Sequence, residues 1–192
     1  MTTPTPRRLL LATGNAHKVT EVAAILGPAW AVEAADPEVE ETGATFEANA
    51  LLKARALRDR TGELSVADDS GIEVDALDGA PGIHSARWTQ EGDWIPRVLR
   101  ELDRRPGAAR TCRYVCAAAV ARPDGTEDVV RGTVDGIVVD VPRGTGGFGY
   151  DPVVAPVEGD GRTFGEMSDD EKHAISHRAR AFRALWAALT SP

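Results

Sequence analysis

The sequence predicts a mixed α/β or α+β fold built on a mixed β-sheet, and three observations predict it. Apolar runs of strand length and stripes of helical spacing follow one another without strict alternation. Two long β-type runs, 111–120 and 127–139, flank the turn Pro123-Asp124-Gly125 as a hairpin. A C-terminal helix is announced by Ser168-Asp169-Asp170-Glu171, which has capping-box spacing, and by the stripe Ile175, Ala179, Phe182, Leu185, Trp186 and Leu189.

The other elements follow in order. Leu9-Leu10-Leu11-Ala12 makes 7–13 a first strand that enters a polar turn at Gly14-Asn15. Val19, Val22, Ala23 and Leu26 recur with helical spacing and predict a helix over 17–26, stopped by Gly27-Pro28. A second strand is expected over 30–34. Phe46, Ala50, Ala54 and Leu57 share a stripe, so a helix is expected over about 45–60 with Gly62 closing it. A short strand over 64–67 then leads to Asp68-Asp69, a turn at Ser70-Gly71 and a hairpin reaching Val74. Next come a glycine- and proline-bearing loop over 79–87 and a short helix over 94–102 before Pro106-Gly107. Beyond the long hairpin lie a glycine-rich loop, 144–149, and a short strand, 151–154. There is no internal repeat, low-complexity tract or domain linker.

Composition narrows the function. The 192 residues suffice for a core that folds alone, and 42% hydrophobic with 27% charged residues is neither a disordered nor a membrane composition. Leu9-Leu10-Leu11-Ala12 is too short for a membrane span or a signal-peptide core, so the expected location is cytoplasmic. A net charge of −8 argues against a nucleic-acid polymer as partner, because phosphate backbones draw basic proteins. A small anion needs only a local cationic cluster or a metal. Cys112 and Cys116, on one strand, would lie about 13 Å apart, too far for a disulfide, and read as buried thiols.

Four constellations carry chemistry. Thr13-Gly14-Asn15-Ala16-His17-Lys18 opens a helix, where backbone N–H groups suit an anion and Lys18 adds charge; an ordinary turn capped by Asn15 is the alternative. Glu38-Val39-Glu40-Glu41 is either a solvated acidic loop or, with Asp68 and Asp69, a source of oxygen ligands for magnesium. The two aspartates can equally be turn formers. Gly144-Thr145-Gly146-Gly147-Phe148-Gly149 has the dinucleotide-fingerprint spacing, but it precedes an extended segment rather than opening a helix, so its use is close backbone approach with Phe148 as a stacking surface. Lys172, His177 and Arg178 form either a cationic edge for a phosphate or base or a plain basic helix face; His173 and His177 have zinc-helix spacing without the intervening Glu. An anion cradle, an acidic metal site, a stacking loop and a basic helix together suit a magnesium–nucleotide phosphate.

On these residues the chain resembles the inosine/xanthosine triphosphate pyrophosphatase (Ham1-like) family. The resemblance rests on Thr13-Gly14-Asn15-Ala16-His17-Lys18, on Glu41-Thr42-Gly43 leading to Phe46, Asn49 and Lys53, and on Ala67-Asp68-Asp69-Ser70-Gly71. It continues through Gly79-Ala80-Pro81-Gly82-Ile83-His84-Ser85-Ala86-Arg87, Gly147-Phe148-Gly149-Tyr150-Asp151-Pro152 and Ser176-His177-Arg178. His17 and His84 depart from the residues such relatives often carry. The resemblance implies one domain over 1–192, with residues 1–6 as a disordered extension. It further implies an elongated mixed sheet flanked by helices, two lobes around a central cleft, and a homodimer.

The implied reaction is magnesium-dependent cleavage of dITP, ITP or XTP to a nucleoside monophosphate and pyrophosphate. By the same resemblance, Thr13, Gly14, Asn15, Ala16, His17, Lys18 and Lys53 hold the triphosphate. Asp69 is the catalytic carboxylate and binds magnesium with Glu40 or Glu41. Ser70, Phe148, Gly149, Tyr150, Asp151, Lys172, His177 and Arg178 surround the nucleoside. The rivals are a Maf-type pyrophosphatase preferring pyrimidine or modified nucleotides, and a nucleotide-binding regulatory module without chemistry.

Overall fold

The first strand, β1 (Arg7–Ala12), lies inside a six-stranded sheet whose other members are β2 (Trp30–Ala35), β3 (Ser65–Val74), β4 (Thr111–Ala121), β5 (Glu127–Val138) and β6 (Val154–Pro156), in the order β2-β1-β3-β4-β5-β6. This computed structural model describes residues 5–89 and 93–190, with the side chains of the last two helical residues left aside. Thr5 and Pro6 have no regular structure and Thr5 is exposed; the rest of the expected N-terminal extension lies outside the described residues.

β2 and β3 both pair parallel with β1, Leu9 opposite Val32 and Leu11 opposite Val66, while β6 runs antiparallel to β5. Parallel neighbours need crossovers, and helices α1 (Ala16–Leu26) and α2 (Phe46–Thr61) supply them. The sheet is therefore mixed, as the sequence predicts.

The chain forms two compact units. The first comprises Met1–Asp69, Cys116–Gly132 and Arg178–Pro192; the second comprises Ser70–Val115 and Thr133–His177. The first unit's core gathers Leu9, Leu11, Val22, Val66, Cys116, Ala118, Val120, Ala181, Phe182 and Leu185. In the second unit, Ile72, Val74, Val98, Leu102, Tyr114, Val134, Val153 and Phe164 are among the core side chains. Burying one such Leu or Phe stabilises by about 1.5–3 kcal/mol, so each unit has its own apolar centre. No helix among the described residues is long and apolar enough to cross a membrane.

Both early helices are capped as their sequences require. The Asn15 side chain accepts from the His17 N–H, and that of Thr45 accepts from the Ala48 N–H. Gly62 adopts the left-handed conformation (φ 70°) that closes α2. The predicted stripe Phe46, Ala50, Ala54 and Leu57 is buried, and so are Asn49 and Lys53 beside it. In α1 the buried residues are Glu21 and Val22.

Three local expectations are corrected. First, no turn interrupts the acidic pair: β3 continues unbroken from Ser65 to Val74, so Asp68 and Asp69 sit inside a ten-residue strand. Gly71 serves close packing instead of a turn, because a Cβ there would collide with the Gly82 carbonyl and the Ser85 side chain, whose hydroxyl accepts from the Ile72 N–H at 2.9 Å. Second, 151–154 is not all strand: Asp151–Val153 is a 3-10 turn with Pro in its first positions, and β6 follows it.

Third, the C-terminal helix is two helices, α4 (Asp169–Ile175) and α5 (His177–Thr190), separated by Ser176 in an extended conformation (ψ 151°). The capping box at Ser168 and Glu171 is present as predicted. Lys172 before the break and Arg178 after it are both buried in ion pairs. Between α2 and the long hairpin, α3 (Trp94–Asp103) matches its predicted span within a residue. The predicted stripe residue Leu189 has its side chain outside the described residues.

Candidate active site

In the first unit, β3 brings Asp68 and Asp69 into the interior, 1% and 6% exposed. Side chains on opposite faces of a strand meet different surroundings, and these two do. Asp68 Oδ2 lies 3.0 Å from the Lys18 ammonium and 3.3 Å from Arg178 Nη2. Arg178, 1% exposed, also pairs with Glu21 of α1. The Cys116 thiol approaches the same Asp68 oxygen at 3.8 Å. Burial pushes the Asp68 carboxyl up, but Lys18, Arg178 and Lys53 outweigh it and hold the group far below the ordinary carboxylate range.

Asp69 has the opposite balance. Its Oδ2 accepts from Asn49 Nδ2 at 3.1 Å and its Oδ1 lies 3.5 Å from the Lys53 ammonium. Burial, helped by the charge of Glu41, raises its pKa despite Lys53 and Lys18. Lys53 in turn donates to Glu41 Oε1 at 2.6 Å. Burial alone would lower the Lys53 pKa; Asp69, Asp68 and Glu41 reverse that and raise it. Asn49 completes the arrangement, since its Oδ1 accepts from the Gly43 N–H at 2.7 Å and so ties the Glu41-Thr42-Gly43 loop to the Asp69 carboxylate.

Of the two candidate acidic partners, Glu41 shares Lys53 with Asp69, whereas Glu40 is exposed. The turn before α1 has Thr13 buried, its Oγ1 accepting from the Asn15 N–H at 3.1 Å. Gly14, Ala16 and His17 are exposed at the helix N-terminus, with Lys18 behind them on Asp68.

In the second unit, Asp151 is the hub. Its Oδ2 accepts from Lys172 Nζ at 2.8 Å and from the Phe148 N–H at 2.8 Å, and its Oδ1 accepts from the Tyr114 hydroxyl at 3.1 Å. Lys172 lies over the Phe148 ring, 4.8 Å from its centroid, and the His177 ring stacks on Tyr114 at 4.6 Å. Gly147 has a positive φ (66°), and a Cβ there would strike the Asp151 carboxylate. The glycine-rich loop thus approaches a carboxylate closely, as a side chain would forbid. Tyr150 is engaged elsewhere, donating to the Ser85 carbonyl at 3.1 Å. Ser70, the first residue of this unit, is half-buried in β3.

The contacts thus join Phe148, Asp151, Lys172 and His177 in one group, while those of Arg178 run to Asp68 and Glu21. Sequence reasoning left out Glu21, Asn49 and Tyr114 as site residues. Glu21 was discoverable, because it stands three residues after Lys18 on the face of α1 that holds Val22. Tyr114 was hidden by its alternation with Cys112 and Cys116 on a buried strand face. Among the described residues, no three His, Cys, Asp or Glu side chains gather into a ready-made metal site. The break at Ser176 also separates His173 from His177, which removes the i, i+4 geometry a zinc helix needs.

The sequence matches the Ham1 family over residues 9–188. A dITP/XTP pyrophosphatase of Streptomyces coelicolor is 51% identical over 190 residues, covering 93% of this chain and 94% of that protein. Among solved structures, a HAM1 protein from Coxiella burnetii superposes with a TM-score of 0.83 at 32% identity, over 95% of this chain and 98% of its own. A nucleoside-triphosphatase / dITP/XTP pyrophosphatase from Mycobacterium abscessus gives 0.74 at 39% identity, over 96% and 100%. Matched over residues 9–188 and 51% identical to a relative across 93% of its length, this chain belongs to the Ham1 family.

Proposed function

We propose that this protein hydrolyses the non-standard purine nucleoside triphosphates dITP, ITP and XTP to the nucleoside monophosphate and pyrophosphate, which keeps deaminated purines out of the nucleotide pool. The observation that carries this reading is that β3 places two adjacent aspartates in separate charged clusters: Asp68 against Lys18 and Arg178, and Asp69 against the Lys53 ammonium that Glu41 shares. Carboxyls whose environments push them apart mark a division of labour between charge anchor and base.

Asp69 takes a proton from the attacking water, the water oxygen bonds to the α-phosphorus, and the α–β phosphoanhydride bond breaks to release pyrophosphate. The cationic side chains Lys18 and Lys53, with the N–H groups that open α1, hold the triphosphate and offset its charge. Asp69 and Glu41 fit a magnesium ion, because both point hard oxygens at one cationic position, the Lys53 ammonium. Magnesium is commonly held by one or two carboxylates, with waters and substrate phosphates completing its shell. When bound, the ion supplies charge neutralisation on the phosphate oxygens.

Phe148 offers a stacking face and Lys172 a donor for a purine carrying a 6-keto group. Donors directed at that oxygen would meet the amino group of adenine without an acceptor, which is costly when buried. The reading includes the homodimer that family resemblance implies and the cytoplasmic location expected from the short apolar runs of the sequence; sedimentation analysis tests the first.

The decisive assay presents dITP, ITP, XTP, GTP, ATP and a pyrimidine triphosphate with magnesium, and follows pyrophosphate and orthophosphate separately. Pyrophosphate release, fastest from the three non-standard purines, is expected. Orthophosphate release, fastest turnover of a pyrimidine, or tight binding without turnover would each overturn the reading.

A further inference from the structure

Asn49 and Lys53 stand one turn apart on α2 and both reach Asp69, yet they hold it in different ways. Asn49, fully buried, donates from Nδ2 to Asp69 Oδ2 at 3.1 Å and accepts at Oδ1 from the Gly43 N–H at 2.7 Å. A Cβ on Gly43 would strike that same Oδ1 and the Ala48 side chain, so the glycine lets the Glu41-Thr42-Gly43 loop close on the amide. The loop carrying Glu41 and the strand carrying Asp69 are therefore joined through Asn49 as well as through Lys53.

Lys53 supplies a point charge on a flexible four-carbon stem. Its ammonium lies 2.6 Å from Glu41 Oε1 and 3.5 Å from Asp69 Oδ1. The same two carboxylates form the proposed magnesium site. An ammonium and a dication in contact repel strongly where water is scarce, so one carboxylate pair does not hold both at one position. We infer that Lys53 competes with the metal ion for Glu41 and Asp69, and that the site takes the ion weakly until a triphosphate receives the displaced ammonium. This rests on the proposed magnesium site. Asn49 keeps the two carboxylates in place during the exchange. Lys53 passes from one anion to another, so its charge is not left buried alone. With Lys53 on the pair, the net charge facing an ion is that of one carboxylate; phosphate oxygens then supply what the protein withholds.

The first test contains no nucleotide. Binding of manganese, a hard cation that shares magnesium's preference for carboxylate oxygens, is followed by the electron paramagnetic resonance of the free ion. Lys53→Met keeps the length of the side chain and removes its charge. It is expected to bind manganese at least about tenfold more tightly than the unmodified protein. Lys53→Arg keeps the charge and is expected to bind as weakly as the unmodified protein. Equal affinity in the unmodified protein and a folded Lys53→Met overturns the competition. Tight binding by Lys53→Arg overturns it too, because packing and not charge would then set the affinity. Failure of the unmodified protein to hydrolyse ITP, by contrast, overturns the proposed reaction and does not bear on this measurement.

A second measurement needs no variant. The side-chain nitrogen signal of Lys53 in NMR is expected to move as magnesium is added, with the midpoint that calorimetry gives for the metal. At a magnesium concentration too low to move it, an ITP analogue with a non-hydrolysable α–β bridge is expected to move it. Binding of metal, or of metal with the analogue, that leaves the Lys53 signal in place overturns the proposal.

Discussion

Asp68 and Asp69 are neighbours on one strand, yet the protein drives their carboxyls in opposite directions, Asp68 far down and Asp69 up. The cause is the pleat. One side chain enters a pocket holding Lys18 and Arg178; the other meets Lys53, Asn49 and the like charge of Glu41.

Asp69→Asn is expected to reduce kcat by about 10²–10⁴, measured as pyrophosphate release from ITP. The protein stays folded. Because the folded-state pKa of Asp69 is raised, its ionised form opposes folding at alkaline pH, so the neutral Asn variant melts no lower than the unmodified protein at pH 8. A variant with near-normal turnover contradicts the role given to Asp69.

Asp68→Asn acts on stability. It strands Arg178 and Lys18 beside a neutral group, an outcome that costs about 3–5 kcal/mol for a buried pair. The folded pKa of Asp68 lies below its unfolded value of about 4, so this stabilisation is complete at neutral pH and is lost as the pH falls through about 4 toward the folded value. Denaturant titrations at pH 7 and pH 3 are expected to show a large difference between the two proteins at pH 7 that narrows at pH 3.

Gly71→Ala separates a turn glycine from a packing glycine. In a turn of negative φ the change is mild. In β3 the new methyl meets the Gly82 carbonyl and Ser85, so a loss of at least about 1–3 kcal/mol is expected. An urea midpoint equal to that of the unmodified protein would refute the close approach.

The two thiols are expected to be silent. Burial, with Asp75 and Asp135, pushes Cys112 up to about 12, and burial with Asp68 raises Cys116 further still. A disulfide reagent at pH 8 should label neither in the native protein and both after unfolding in guanidinium, because the thiolate is the reacting form. Rapid native labelling of Cys116 would contradict its packing against Asp68.

Much of the architecture was legible in the chain. The stripe Phe46, Ala50, Ala54 and Leu57 reported α2, Thr45 and Gly62 reported its ends, and Pro123-Asp124-Gly125 reported the long hairpin, because these are local preferences of a few consecutive residues. The same locality misled at Ser70-Gly71 and at Ser176. Ser and Gly are good turn formers, but Gly71 is there for Ser85, which is distant in sequence; nothing in Ile175-Ser176-His177 signals a helix break.

The sequence by itself determined most of the strands and helices, the acidic pair, the glycine-rich loop and the family resemblance. Through that resemblance it also put Asp69 forward as the candidate base. Tertiary structure decided which carboxylate each cation serves: Glu41 for Lys53, Asp68 for Lys18 and Arg178, and Asp151 for Lys172. It alone brought Glu21, Asn49 and Tyr114 to those groups. The physical reason is that a charge or hydroxyl buried far from water must find a partner, and the partner available is set by long-range packing that no local pattern encodes.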